Sequence, residues 1–155
     1  MKFSNPLIVV SNMEKSKQFY HRILGLDVVV DFGANVTLTY GITLQTKDTW
    51  SSFINKQENE LVFGGNVAEL YFEEDDFDSF IKKINNMPNI NYVHPIIEHS
   101  WGQRVVRFYD PDKHIIEVGE NIAIVVKRFL NSGLSIEETA TRMDVPIDFV
   151  NSCLK

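Results

Sequence analysis

The hydrophobic pattern along the 155 residues changes period several times. Residues 6–10, PLIVV, form a short apolar run that predicts a buried strand, and Asn12 stands where it can cap a helix. Met13, Phe19, Tyr20, Ile23 and Leu24 then fall on one helical face, and Gly25 supplies the stop. Three strands are predicted next, at 27–31, 36–40 and 42–46, the last two hinged at Gly41. The first segment is thus a β-α-β-β-β unit.

The order repeats. Residues 68–72 read as a strand, Asp75 and Asp76 open a helix, and Phe77, Phe80, Ile81 and Ile84 mark its buried stripe, which ends at Asn85, Asn86 and Pro88. Strands return at 91–97, 104–109 and 115–118, with Asp110-Pro111-Asp112 turning the final hairpin. Asn12-Met13-Glu14 matches Asp76-Phe77-Asp78, a period of roughly 64 residues. Between the copies, residues 47–65 are polar apart from Trp50, Phe53 and Ile54, which have single-turn helical spacing, and Gly64-Gly65, which can hinge.

After Glu120 the period is helical again. Ile122, Val126, Phe129 and Leu130 make one amphipathic face stopped by Gly133. Ser135 to Glu138 has the spacing of a capping box, and Asp144-Val-Pro-Ile147 opens a third helix. This spacing resembles a helix-turn-helix, but the last helix has no Arg and only the terminal Lys155, whereas a DNA-reading helix needs basic or amide groups for phosphates and base edges. The tail reads as a helical cap on the sheet or on a second subunit.

A formal charge of −6 argues the same way, against nucleic acid and against an anionic membrane as partners. A small molecule or another protein is the expected partner. Cys153 is the only cysteine, so no disulfide can form within the chain, and a reducing, cytoplasmic setting is expected. Leu7 to Val10 is too short for a signal-peptide core or a membrane span.

Candidate chemistry centres on Glu117, which sits among Ile115, Ile116 and Val118 although ionised carboxylates are rarely buried without a partner. Strand alternation puts Ile115 on its face and turns Ile116 and Val118 away. Arg104 and Arg107 lie on the preceding strand with opposite parity, so only one can share that face, to neutralise Glu117 or to grip an anion. His94 and His99 flank PIIE near Trp101, and His99 is a candidate acid or base. His114 reads as structural and His21 as solvated. No phosphate-binding glycine loop, dinucleotide fingerprint or nucleophile elbow occurs, and Cys153 has no evident His partner.

Two segments, VVSNMEKSKQFYHRILGL (9–26) and WGQRVVRFYDPDKHIIEVGE (101–120), together resemble the vicinal oxygen chelate superfamily of glyoxalase I, bleomycin-resistance proteins, fosfomycin-resistance enzymes and extradiol dioxygenases. Lys113 replaces the glycine usual in the family's DPDG turn. The resemblance covers residues 1–120, as modules 1–48 and 66–120, and leaves 121–155 as a helical tail. It implies an α+β fold in which paired β-α-β-β-β modules form a cup-shaped mixed sheet whose concave face carries ligands from both copies.

On that resemblance Glu117 stands at the final carboxylate ligand. The repeat makes Glu69 equivalent to Asn5 and pairs Glu117 with Gln45, or with Thr43 if the hairpin register is shifted. The implied metal set is Asn5, Gln45, Glu69 and Glu117, which has no imidazole where the family usually has histidine. Carboxylate and amide oxygens suit Mg²⁺ or Mn²⁺ better than Zn²⁺ or Ni²⁺. One implied function is a metal-dependent lyase of the glyoxalase I type, with Glu117 or Glu69 as ligand and base. Another is a metal-free binding protein of the bleomycin-resistance kind, with Tyr71, Trp50 and Trp101 as aromatic walls. A third is a regulatory or dimerisation module. The family's habits and the apolar tail together imply a homodimer.

Overall fold

The computed structural model describes all 155 residues, and the chain divides into two compact units. The first comprises residues 1–67 with 110–114, the second residues 68–109 with 115–155. Each contains a four-stranded mixed sheet, so the fold is α+β and built on a repeated β-α-β-β-β module.

In the first unit β1 (Leu7–Val10) runs parallel to β4 (Thr43–Thr46), and β3 (Asn35–Leu38) and β2 (Val28–Asp31) complete the sheet in the order β1-β4-β3-β2. Helix α1 (Met13–Leu24) starts where Asn12 accepts a 2.9 Å hydrogen bond from the Lys15 N–H. It ends at Gly25, whose left-handed φ of 69° returns its N–H to the His21 carbonyl. Tyr20 and Ile23 of α1 are buried with Val10, Val36, Leu38 and Leu44. The strand expected at 36–40 stops at Leu38, because Tyr40 and Gly41 both take positive φ and fold into a tight turn. Part of the 47–65 segment is helical, as α2 (Lys47–Phe53).

The second unit repeats the order as β5-β8-β7-β6, from β5 (Glu69–Glu74), β6 (Asn91–Glu98), β7 (Arg104–Tyr109) and β8 (Ile115–Glu120). Both β5 and β8 outrun their predicted ends. Their parallel pairing continues from Glu69–Ile115 to Glu74–Glu120, since backbone pairing with a neighbour overrides the polarity of the added glutamates. Helix α3 (Phe77–Asn85), capped by Asp76, buries Phe77, Phe80 and Ile84. On the strands Val106, Phe108, Ile116 and Val118 are buried at alternate positions, with the Phe80 and Phe108 rings 6.5 Å apart.

The tail belongs to this second unit. Helices α4 (Ile122–Asn131), α5 (Ile136–Met143) and α6 (Ile147–Ser152) share a core of Val125, Val126, Ala140, Met143 and Val150. Ser135 and Glu138 form the expected capping box. No helix is long and apolar enough to cross a membrane.

The turn of the last hairpin lies in the first unit. Asp110 accepts from the Asp112 and His114 amides at 2.9 and 2.8 Å, from the Tyr20 hydroxyl at 2.9 Å, and pairs with His114 Nδ1 at 2.8 Å. His114 is thus structural, as its sequence context suggests. Burial lowers its basicity, but the bond to Asp110 and the charges of Asp110 and Asp112 outweigh that and raise its pKa.

Candidate functional site

The side chains singled out in the sequence meet most densely on one face of the second sheet. Glu69, Tyr71 and Glu73 of β5, Glu117 of β8 and Arg107 of β7 share this face, because they alternate with the residues that pack on α3. Arg104 goes the other way. Its guanidinium lies 2.8 Å from Asp78, 2.7 Å from Glu120 and 5.2 Å over the Phe77 ring, which leaves Arg107 as the arginine beside Glu117. Those bonds raise the Arg104 pKa further. For Glu120, burial pushes the carboxyl up, and the hydrogen bonds from Arg104 with the charge of Arg128 more than reverse it.

Arg107 is the centre of the face. Its Nε donates to Glu69 at 2.8 Å, Nη2 reaches the other Glu69 oxygen at 3.5 Å and also pairs with Glu117, and Nη1 lies 3.3 Å from His94 Nε2. His94 Nδ1 is 2.7 Å from the Pro95 carbonyl, so Nδ1 carries the proton and Nε2 accepts from the arginine. Glu117 is 5 % exposed, and its burial is explained by this one cation.

A chain of donors crosses the same face. Trp101 Nε1 donates to Gln103 at 3.1 Å, Gln103 Nε2 donates to the Tyr71 hydroxyl at 2.9 Å and to the Glu120 carbonyl at 2.8 Å, and Tyr71 donates to Glu73 at 3.0 Å. Gly119 makes room: a Cβ there would meet Gln103 and the Tyr71 ring. Burial raises the Tyr71 pKa, against the Gln103 bond and with the charge of Glu73, so the phenol keeps its proton. His99 stacks on Trp101 with centroids 4.2 Å apart and planes 17° from parallel. Burial, then the positive field of Arg107, lowers the His99 pKa and favours the neutral ring.

Gln103, Glu73 and Glu120 were not among the expected site residues. Gln103 offered one usable signal, an amide directly ahead of an alternating strand; Glu73 shares the parity of Tyr71 two residues before it on β5, and the role of Glu120 arises from Arg104, distant in sequence.

The first unit holds Asn5, Gln45 and Trp50. Strand register decides the alternative left open by the repeat: Leu7 pairs with Thr43 as Tyr71 pairs with Glu117, so Thr43 is the counterpart of Glu117. Thr37 opposite Thr43 likewise corresponds to Arg107 opposite Glu117. In this unit Asn5 donates to Thr43, and Thr37 lies 3.4 Å from it. Gln45 is buried, accepts from Asn35 at 2.7 Å and donates to Thr49. Trp50 is half-buried on α2.

These donors do not fit a resident divalent ion. Neither unit gathers three His, Cys, Asp or Glu side chains into a metal-binding group. Glu69 and Glu117 already share a guanidinium, a fixed positive charge that a metal ion beside them would meet at short range. The Gln45 oxygen is taken by Asn35.

Sequence and structure agree on kinship. Residues 3–123 match the family model described as a glyoxalase-like domain, and the chain belongs to that family, within the vicinal oxygen chelate superfamily. A crystal structure of a protein of unknown function from Agrobacterium tumefaciens str. C58 is similar at 36 % identity and TM-score 0.68, over 78 % of this chain and 94 % of that one. A lactoylglutathione lyase from Agrobacterium tumefaciens (21 %, TM-score 0.58, covering 78 % and 94 %) shares the fold. So does a glyoxalase/bleomycin resistance protein/dioxygenase family enzyme from Burkholderia phytofirmans PsJN (13 %, TM-score 0.65, covering 76 % and 96 %). No curated protein matches the chain.

Proposed function

We propose that this protein binds a small molecule without a metal ion, using the Arg107 face of the second sheet. The observation that carries the reading is Arg107 itself, forked onto Glu69, paired with Glu117 and capped by His94. A glyoxalase-I-type lyase would use those carboxylates as metal ligand and base. Here both are already paired with a cationic side chain of the protein.

The chemistry of the face narrows the ligand. Trp101, Gln103 and Tyr71 direct their donors to one another, to Glu73 and to the Glu120 carbonyl, while Arg107 directs most of its donors to Glu69, Glu117 and His94. What remains are acceptors: carboxylate oxygens of Glu69 and Glu73 and the neutral ring of His99. Three carboxylates, Glu69, Glu73 and Glu117, stand against one guanidinium, next to the rings of Tyr71 and Trp101. This arrangement suits a ligand that brings hydrogen-bond donors and a flat apolar part, such as an aromatic amine or amidine.

A thermal-shift screen of aromatic amines and amidines against matched aromatic carboxylates tests the proposal. The cations are expected to raise the melting temperature, with the effect reduced in Glu73→Gln. Stabilisation by the carboxylates alone would contradict it.

A further inference from the structure

All but the first two residues of the C-terminal helices lie beyond the family match, which ends at residue 123. Three of their side chains, Arg128, Phe129 and Arg142, reach residues 99–103, the loop that carries His99, Trp101 and Gln103. The loop is closed by hydrogen bonds from the His99 amide to the Gln103 carbonyl at 2.9 Å and from the Gly102 amide to the His99 carbonyl at 2.8 Å. Gly102 has a φ of 86°, and a Cβ there would run into the Phe129 ring of α4. Glycine is required at this position twice over, by backbone conformation and by Phe129.

Two arginines of the tail fasten the same loop. Arg128 donates to the Gly102 carbonyl and reaches Glu120 at 3.1 Å, while Arg142 of α5 donates to the Ser100 carbonyl and lies 3.9 Å from Glu98. Both guanidinium groups also lie over the Phe129 ring, at 5.7 and 5.2 Å from its centroid. Phe129 and Leu130 pack in turn on the tail core around Val126 and Met143. Two backbone carbonyls of a glycine-containing turn, those of Ser100 and Gly102, are therefore held by side chains from two tail helices.

We propose that Phe129, Arg128 and Arg142 are positioning residues: the C-terminal helices hold the 99–103 loop in the pose that stacks His99 on Trp101 and presents Gln103 to Tyr71. The tail thereby sets the aromatic edge of the face described above. That this edge meets a ligand rests on the proposed function, but the pose does not, and it can be tested with no ligand present.

In a Trp50→Phe background Trp101 is the only tryptophan. Full-length protein carrying Phe129→Ala or Arg142→Ala is expected to show an acrylamide quenching constant for Trp101 about twofold higher than the background protein, as local order is lost. The near-UV dichroism of the indole should weaken too, while amide exchange in β7 and β8 stays slow. Phe129→Leu, which keeps apolar bulk beside Gly102, should fall between. A tail that merely added stability would leave the Trp101 signals of the folded protein unmoved. Unchanged quenching and dichroism in Arg142→Ala would overturn the proposal, and that milder variant decides the matter if Phe129→Ala does not fold.

Discussion

Arg107 and Glu69, 38 positions apart in the chain, meet through a fork in which Nε stands 2.8 Å from one carboxylate oxygen and Nη2 3.5 Å from the other. The same guanidinium neutralises Glu117, the acid buried in an apolar strand. In the first unit the corresponding positions are Asn5, Thr43 and Thr37, uncharged groups joined by hydrogen bonds. The duplicated frame thus carries an ionic cluster in one copy and a neutral polar cluster in the other.

Removing the arginine leaves Glu117 buried with no cation. Arg107→Met is expected to destabilise the protein by about 2–3 kcal/mol, below the range for fully buried pairs because Arg107 is partly exposed. Adding Glu117→Gln should recover at least half of that loss. Urea denaturation of the single and double variants measures both effects, and additive losses would contradict the pairing.

Lys113 occupies the left-handed position of the final hairpin turn, with φ 67°. Lys113→Gly relieves that conformation but gives the unfolded chain more freedom, so a net gain of about 0.5–1 kcal/mol is expected. The Lys113 stem packs near Gly64, which limits the gain. A lower melting temperature for the variant would count against this account of the turn.

The sequence made the repeat, the helix caps and the DPD turn legible because each rests on local chemistry: Asn12, Asp76 and Ser135 cap helices from positions fixed by short-range spacing. Parity also identified Glu117 and an arginine as neighbours across β7 and β8. The rest depended on pairing between distant segments. The fork onto Glu69 needs β5 beside β8, and the roles of Gln103 and Glu120 need β5, β7 and β8 brought together. Strand ends shifted for the same reason, since β5 and β8 extend as far as they have each other to bond.

His114 gives a pH signature. Its pKa is raised in the folded state, so the proton it binds stabilises the fold below the unfolded value of about 6.5, and this contribution disappears as pH rises through the folded value. The melting temperature should fall as pH increases from about 6.5 up through the raised folded value, and the decline should be shallower in His114→Gln. Equal slopes would show that the Asp110–His114 pair is not its source.

Edge strands β2 and β6 leave apolar side chains open to solvent, among them Val29 at 61 % and Ile96 at 43 % exposure. Open strand edges favour pairing with another chain, and a homodimer is the expected assembly. Sedimentation velocity at micromolar concentration checks it; a monomer across that range would refute the expectation.

In the proposed function Arg107 supplies the positive charge that a metal would otherwise bring to Glu69 and Glu117. Calorimetric titration of Mn²⁺, Ni²⁺ and Zn²⁺ into the wild-type protein and Glu69→Ala tests it most directly. No stoichiometric binding is expected in either. One equivalent of tightly bound metal in the wild type, lost in Glu69→Ala, would contradict it.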